Sequence, residues 1–197
     1  GHNRKNIDYL RWSPTKLKAI LTVCKNTGES KKEYLFAMDY LTDVLTAYKE
    51  TGKEIYKIVF ERVISQFHAY FKEYGPVYED LPVYAQTLLF IKAFDILETI
   101  PFQEDFLKLL MSYGEWLMND EYYQNNHNHG MFQNIALLHL SVLFGNRREA
   151  DIWQKHSIKR INLLFKDCYF NDFTNNEHSL SYFRYNNFLY DNAIKFC

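Results

Sequence analysis

The chain consists of apolar segments that repeat at helical spacing and are separated by glycine or proline. Within each segment, large apolar residues recur at steps of three and four, the spacing of one helix face. Sustained two-residue alternation, which is typical of a half-buried strand, does not occur in the sequence. Gly28, Gly52, Gly75-Pro76, Pro101 and Gly145 lie between segments, where these residue types end helices. The sequence therefore predicts an all-α protein of seven or eight helices.

The apolar stripes differ in width. Most are one-sided, as in an amphipathic helix at a protein surface, whereas residues 81–97 are apolar on nearly every side, which predicts a helix enclosed by other helices. The one-sided stripes are Tyr34, Met38, Leu41, Leu45 and Tyr48; Ile55, Val59, Val63, Phe67 and Tyr70; and Phe106, Leu110, Tyr113 and Leu117. Further helix-like runs pass through Leu17, Ile20, Leu21 and Cys24; Met131, Ile135, Leu138 and Val142; and Ile161, Leu164, Phe165 and Cys168. A last helix is expected from about Tyr182 to the end.

A mixture of one-sided and enclosed helices suggests two concentric layers, and we predict an incomplete α/α toroid. A plain helical bundle or a helical-repeat array is the alternative, although no clear internal repeat supports an array. The length of 197 residues suits one domain, residues 1–197. The formal net charge of -1 gives no global basic field for nucleic acid. No apolar run approaches the roughly 20 residues that a membrane span requires.

Two polar segments stand out against this apolar background. The first is Asn-Asn-His-Asn-His-Gly at 125–130, and the second is Glu-His-Ser-Leu-Ser-Tyr-Phe-Arg-Tyr at 177–185. Each lies just before or at the start of a helix-like run. Loops that carry amide, imidazole and phenol groups on a rigid scaffold are where binding and chemistry concentrate. We therefore place the candidate site at these two segments.

The pair of segments resembles the heparinase II/III-like polysaccharide lyases, whose N-terminal helical domain carries an Asn-His-Gly turn and a later Glu-x-Ser-x-x-Tyr segment. The resemblance implies an α/α toroid that cleaves a uronate-containing acidic polysaccharide by β-elimination without a cofactor. It also implies that residues 1–197 are the N-terminal part of a longer protein, with a following β-sandwich domain as partner, and a periplasmic or secreted location. The chain departs from the family at Phe183, where a histidine is usual.

The resemblance also implies roles for particular residues. Asn128 neutralises the uronate carboxylate with His129 beside it, because amide and imidazole donors bring no competing negative charge. Tyr182 transfers the proton, as a phenol can when nearby positive charge lowers its pKa. Substrate contacts are expected from four further residues, namely Asn126, His127, Arg184 and Tyr185.

Other interpretations of the same residues stay open. Asparagine before a helix is also a common N-cap, and His127 and His129 could share a metal ion only with further ligands, so we predict no metal. One rival function is a non-catalytic glycan-binding module of the same fold, or one that assists bacterial polysaccharide production. Another is a helical scaffold for protein interaction in which the polar turns are only caps.

Overall fold

The computed structural model of the protein describes residues 37–125 and 128–168, and these residues form six α-helices and no strand. The helices are α1 (Tyr40–Thr51), α2 (Glu54–Tyr74), α3 (Asp80–Ile96), α4 (Gln103–Met118), α5 (Asn128–Leu143) and α6 (Arg148–Cys168). The all-α prediction is confirmed. The predicted first helix and the helix from Tyr182 lie outside the described residues, so the total number of helices and the toroid stay predictions.

The helices end at the predicted breakers. α1 ends at Gly52, whose φ of 65° is left-handed and whose N–H donates to the carbonyl of Tyr48 at 2.8 Å. α2 ends at Gly75, with a φ of 82°. Pro101 separates α3 from α4, and Phe102 turns the chain with a φ of 58°. Glycine and the residue beside a proline therefore set the helix lengths as expected.

α3 and α5 form the interior of the described part. α5 packs against α3, α4 and α6, and every residue from 130 to 141 is buried. α3 packs against α1, α4 and α5, and only Asp95 of this helix is exposed. The prediction of an enclosed helix at 81–97 is therefore confirmed. None of the helices described here is both long and apolar enough to cross a membrane.

Among the described residues, three apolar positions of the predicted helical runs are exposed, namely Ile55, Val142 and Phe165. Ile55 is 54% exposed, and α2 instead buries Tyr56, Phe60, Val63 and Ile64. The predicted stripe advanced by steps of four, and each such step rotates it by about 40° in a helix of 3.6 residues per turn. Three steps therefore place Ile55 far around the helix from the buried face. Val142, near the end of α5, is also exposed.

Candidate functional site

The starts of two helices meet at a hydrogen bond between their side chains. Asp80 is the first residue of α3 and His129 the second of α5, and the Oδ2 of Asp80 lies against the Nδ1 of His129 in a hydrogen bond. Both side chains are largely covered, with 15% of Asp80 and 32% of His129 exposed. The first turn of α5 contains no acidic residue. The partial positive charge at the start of α5 is therefore not offset from within the helix.

Asn128, the first residue of α5, has a buried side-chain oxygen. Among the residues that the structure describes, none donates a hydrogen bond to this Oδ1. A capping asparagine would accept a bond from the N–H of Gly130 or Met131, and that bond is absent. The capping interpretation therefore does not describe Asn128. A buried carbonyl without a donor costs about 1–3 kcal/mol, which a ligand that donates a hydrogen bond would offset.

Gly130 completes the Asn-His-Gly turn because the preceding loop lies directly against it. A Cβ at position 130 would overlap the carbonyl oxygen of Gln124 and would lie 3.2 Å from the ring of Tyr123. Only glycine leaves room for this approach. The loop at residues 119–125 is thus fixed against the first turn of α5.

Two adjacent buried amides of α5 hold the same loop. The Oε1 of Gln133 accepts from the N–H of Gln124 at 3.0 Å, and its Nε2 donates to the carbonyl of Tyr122 at 2.8 Å. The Nδ2 of Asn134 donates to the carbonyl of Gly130 at 2.8 Å and to the hydroxyl of Tyr123 at 3.3 Å. These bonds give partners to both polar atoms of Gln133 and to the Nδ2 of Asn134, and they fix the loop relative to the helix.

Arg160 of α6 holds the other end of the loop. Its guanidinium is buried, donates to the carbonyls of Leu117 at 2.7 Å and Met118 at 3.4 Å, and pairs with Asp120. It also lies over the ring of Tyr123, 4.1 Å from the centroid. These bonds satisfy carbonyls that the end of α4 leaves without helical partners. Arg160 also holds the pKa of Asp120 below its usual value.

Three aromatic side chains form a row near these groups. The ring of Trp116 lies 5.9 Å from that of Tyr78 and 5.7 Å from that of Tyr122, centroid to centroid. Tyr78 and Tyr122 are 41% and 50% exposed. Tyr78 lies two residues before Asp80, and the carbonyl of Tyr122 is bound by Gln133. This aromatic row therefore adjoins the start of α3 and the loop that leads to α5.

The structure places two of the predicted site residues, Asn128 and His129, side by side at the start of α5. The other five lie outside the described residues, so their proximity to Asn128 stays a prediction; they are Asn126, His127, Tyr182, Arg184 and Tyr185.

The sequence reasoning missed four residues that build the site: Asp80, Gln133, Asn134 and Arg160. Two neighbouring amides within the apolar run 131–144 were the signal for Gln133 and Asn134, because an enclosed helix rarely carries unpaired polar groups. Asp80 and Arg160 gave no local signal, since each contacts residues about forty or more positions away.

Within the described ranges, no group of three or more His, Cys, Asp or Glu side chains is arranged to hold a metal ion. Comparisons with protein-family models, with curated proteins and with solved structures found no match to this chain. The resemblance to the heparinase II/III-like lyases therefore stays a prediction from the residues themselves.

Proposed function

We propose that this protein is the helical domain of a lyase that cleaves a uronate-containing acidic polysaccharide by β-elimination. The observation that carries the proposal is the buried amide oxygen of Asn128, which lies beside His129 at the start of α5 and accepts no hydrogen bond from residues 37–125 and 128–168. A polar group that is buried without a partner costs stability, and such features concentrate at functional sites.

Each group at the start of α5 has a part in this reaction. The Nδ2 of Asn128 donates to the uronate carboxylate, and its Oδ1 accepts from a sugar hydroxyl. The N-terminus of α5 adds a favourable partial positive charge for the carboxylate. Stabilising that carboxylate as charge develops makes the neighbouring C5 proton easier to remove. The deprotonated Tyr182 takes this proton from C5 and passes it to the C4 oxygen, so that the C4–O bond breaks as a C4–C5 double bond forms.

The aromatic row supports a sugar as the ligand. Exposed tyrosine rings present apolar faces with polar hydroxyls at their edges, which suits the mixed apolar and hydroxylated faces of a sugar ring. Tyr78 and Tyr122 are the exposed members of the row. In this proposal, successive sugars of the chain contact the aromatic row and the polar groups at the start of α5.

The test measures both binding and elimination on a panel of acidic polysaccharides. Calorimetry of the full 197-residue chain reports binding, and ultraviolet absorbance of the unsaturated uronate reports elimination. We expect Tyr182→Phe to abolish elimination, and Asn128→Ala to weaken binding at least tenfold, which is a loss of about 1.4 kcal/mol. The matched control is Asn162→Ala, an exposed amide of α6, which should bind like the wild type.

The stability of Asn128→Ala distinguishes a ligand contact from a structural contact. Because the Oδ1 of Asn128 accepts no bond from the described residues, its removal should leave the free energy of unfolding unchanged or higher. Loss of stability together with loss of binding would contradict the assignment, as would unchanged binding.

The second candidate is a non-catalytic module that binds the same class of glycan. The aromatic row favours it, because stacking of rings on sugars supplies affinity without chemistry. Binding that depends on Asn128 and Tyr122, with no unsaturated product from any polysaccharide, would establish this function instead. Absence of any glycan binding would overturn both candidates.

A further inference from the structure

The contact between Asp80 and His129 determines which nitrogen of the imidazole carries the proton. A carboxylate can only accept hydrogen bonds, so the Nδ1 that faces the Oδ2 of Asp80 must carry its hydrogen. When the ring is neutral, its Nε2 then holds a lone pair. The Nε2 of neutral His129 is therefore an acceptor, and it becomes a donor only when the ring is protonated.

The position of Asp80 at the start of α3 favours its hydrogen bond with the Nδ1 of His129. Its carboxylate lies at the first residue of α3, where the partial positive charge of the helix start favours an anion. The pair joins α3 to α5, the two helices that are enclosed by the rest of the described fold. Packing thus fixes the position of both partners, which limits how far the imidazole can turn.

We propose that Asp80 is a positioning residue that fixes the tautomer and orientation of His129 in the glycan site. This inference rests on the proposed function for its purpose, although the tautomer itself does not depend on a ligand. With Asp80 in place, neutral His129 accepts a proton or a hydroxyl hydrogen bond at Nε2. Protonated His129 donates from Nε2 to a carboxylate.

The first test is the tautomer of His129 in the full 197-residue chain without ligand. Long-range proton–nitrogen NMR correlation of ¹⁵N-labelled protein distinguishes a protonated ring nitrogen from an unprotonated one, and His129→Gln identifies the signal. We expect a protonated Nδ1 and an unprotonated Nε2 when the ring is neutral. A neutral ring with hydrogen on Nε2 would overturn the inference.

Variants of Asp80 test the cause of the tautomer. Asp80→Ala removes the acceptor, so the ring should shift toward the Nε2-protonated form that free histidine side chains favour. Asp80→Asn keeps the shape of the side chain, but the new amide can donate a hydrogen bond to Nδ1. This variant tests the tautomer of His129 in the same way if Asp80→Ala does not fold. The matched control is Asp95→Ala, an exposed carboxylate of α3 that pairs with Lys49 at 3.3 Å. A tautomer that Asp80→Ala and Asp80→Asn leave unchanged would contradict the proposal.

Turnover separates failure of this inference from failure of the proposed function. If His129 exchanges a proton during elimination, Asp80→Asn should lower kcat by roughly 10²- to 10⁴-fold and change KM less. The expected tautomer in a protein that binds no glycan would reject the function and leave the positioning role intact. Elimination by a protein whose neutral His129 carries its hydrogen on Nε2 would reject the positioning role alone.

Discussion

At position 130 the chain has no room for a side chain. The Cβ of an alanine would overlap the carbonyl of Gln124. The N–H of Gln124 donates to the side chain of Gln133, and the carbonyl of Gly130 accepts from the side chain of Asn134, so both residues are held in place by α5. Gly130→Ala should therefore push the loop away and lower the free energy of unfolding by about 1–3 kcal/mol, as measured by urea denaturation.

The control for this prediction is Gly145→Ala, where a new Cβ would come no nearer than 3.3 Å to any carbonyl oxygen. Its effect should be clearly smaller. Because the displaced loop adjoins Asn128, Gly130→Ala should also weaken glycan binding. Equal stability of the two alanine variants would show that the loop at 119–125 moves without cost, and that it does not fix the site.

At the scale of helices, the end of α4 depends on a side chain from α6. Arg160 donates to the carbonyls of Leu117 and Met118, and only 4% of the residue is exposed. Arg160→Ala leaves those carbonyls without donors and should cost about 2–4 kcal/mol in unfolding free energy. Arg160→Lys should recover only part of the lost unfolding free energy, because an ammonium lacks the planar geometry with which a guanidinium contacts several acceptors at once.

The neighbouring Lys159 supplies the control, because it is exposed on the same helix. Lys159→Ala should change the free energy of unfolding by no more than about 0.5 kcal/mol. If Arg160→Ala were as stable as Lys159→Ala, water would be donating to the carbonyls at the end of α4 as well as Arg160 does, which would contradict the prediction.

The helices could be predicted from the sequence where they depend on the spacing of apolar residues and helix breakers along the chain. The ends of α1 and α2 and the enclosed character of α3 follow from glycine positions and apolar periodicity, which a single chain displays directly. The pairing of Asp80 with His129 joins residues that lie 49 positions apart, and no local pattern encodes it. The candidate site was therefore predicted from its motif, whereas the residues that support Asn128 and His129 emerged only from the packing of the helices.

For the whole molecule, two histidines with lowered pKa values make folding sensitive to pH just below neutrality. Burial lowers the pKa of His139 from its ordinary value of 6.5, and it does the same for His156, where Arg160 adds to the effect. Both rings are therefore neutral in the fold at pH values where the unfolded chain takes up protons. Their contribution to stability is complete above about pH 6.5 and is lost as the pH falls through the folded-state pKa values.

Acidic groups contribute over a lower range, so the two effects can be separated. Hydrogen bonds from Lys72 and then His68 lower the pKa of Asp105 from 3.8 to about 2. The contribution of Asp105 to folding stability is therefore lost only as the pH falls from 3.8 toward 2. Urea denaturation between about pH 7.5 and 5 should therefore report the histidines. We expect His139→Gln to give a shallower loss of stability on acidification than the wild type, whereas Lys155→Gln, an exposed change on α6, should keep the wild-type slope. Equal slopes for His139→Gln and the wild type would show that the fold accommodates a charged His139, and that its burial does not govern the response to acid.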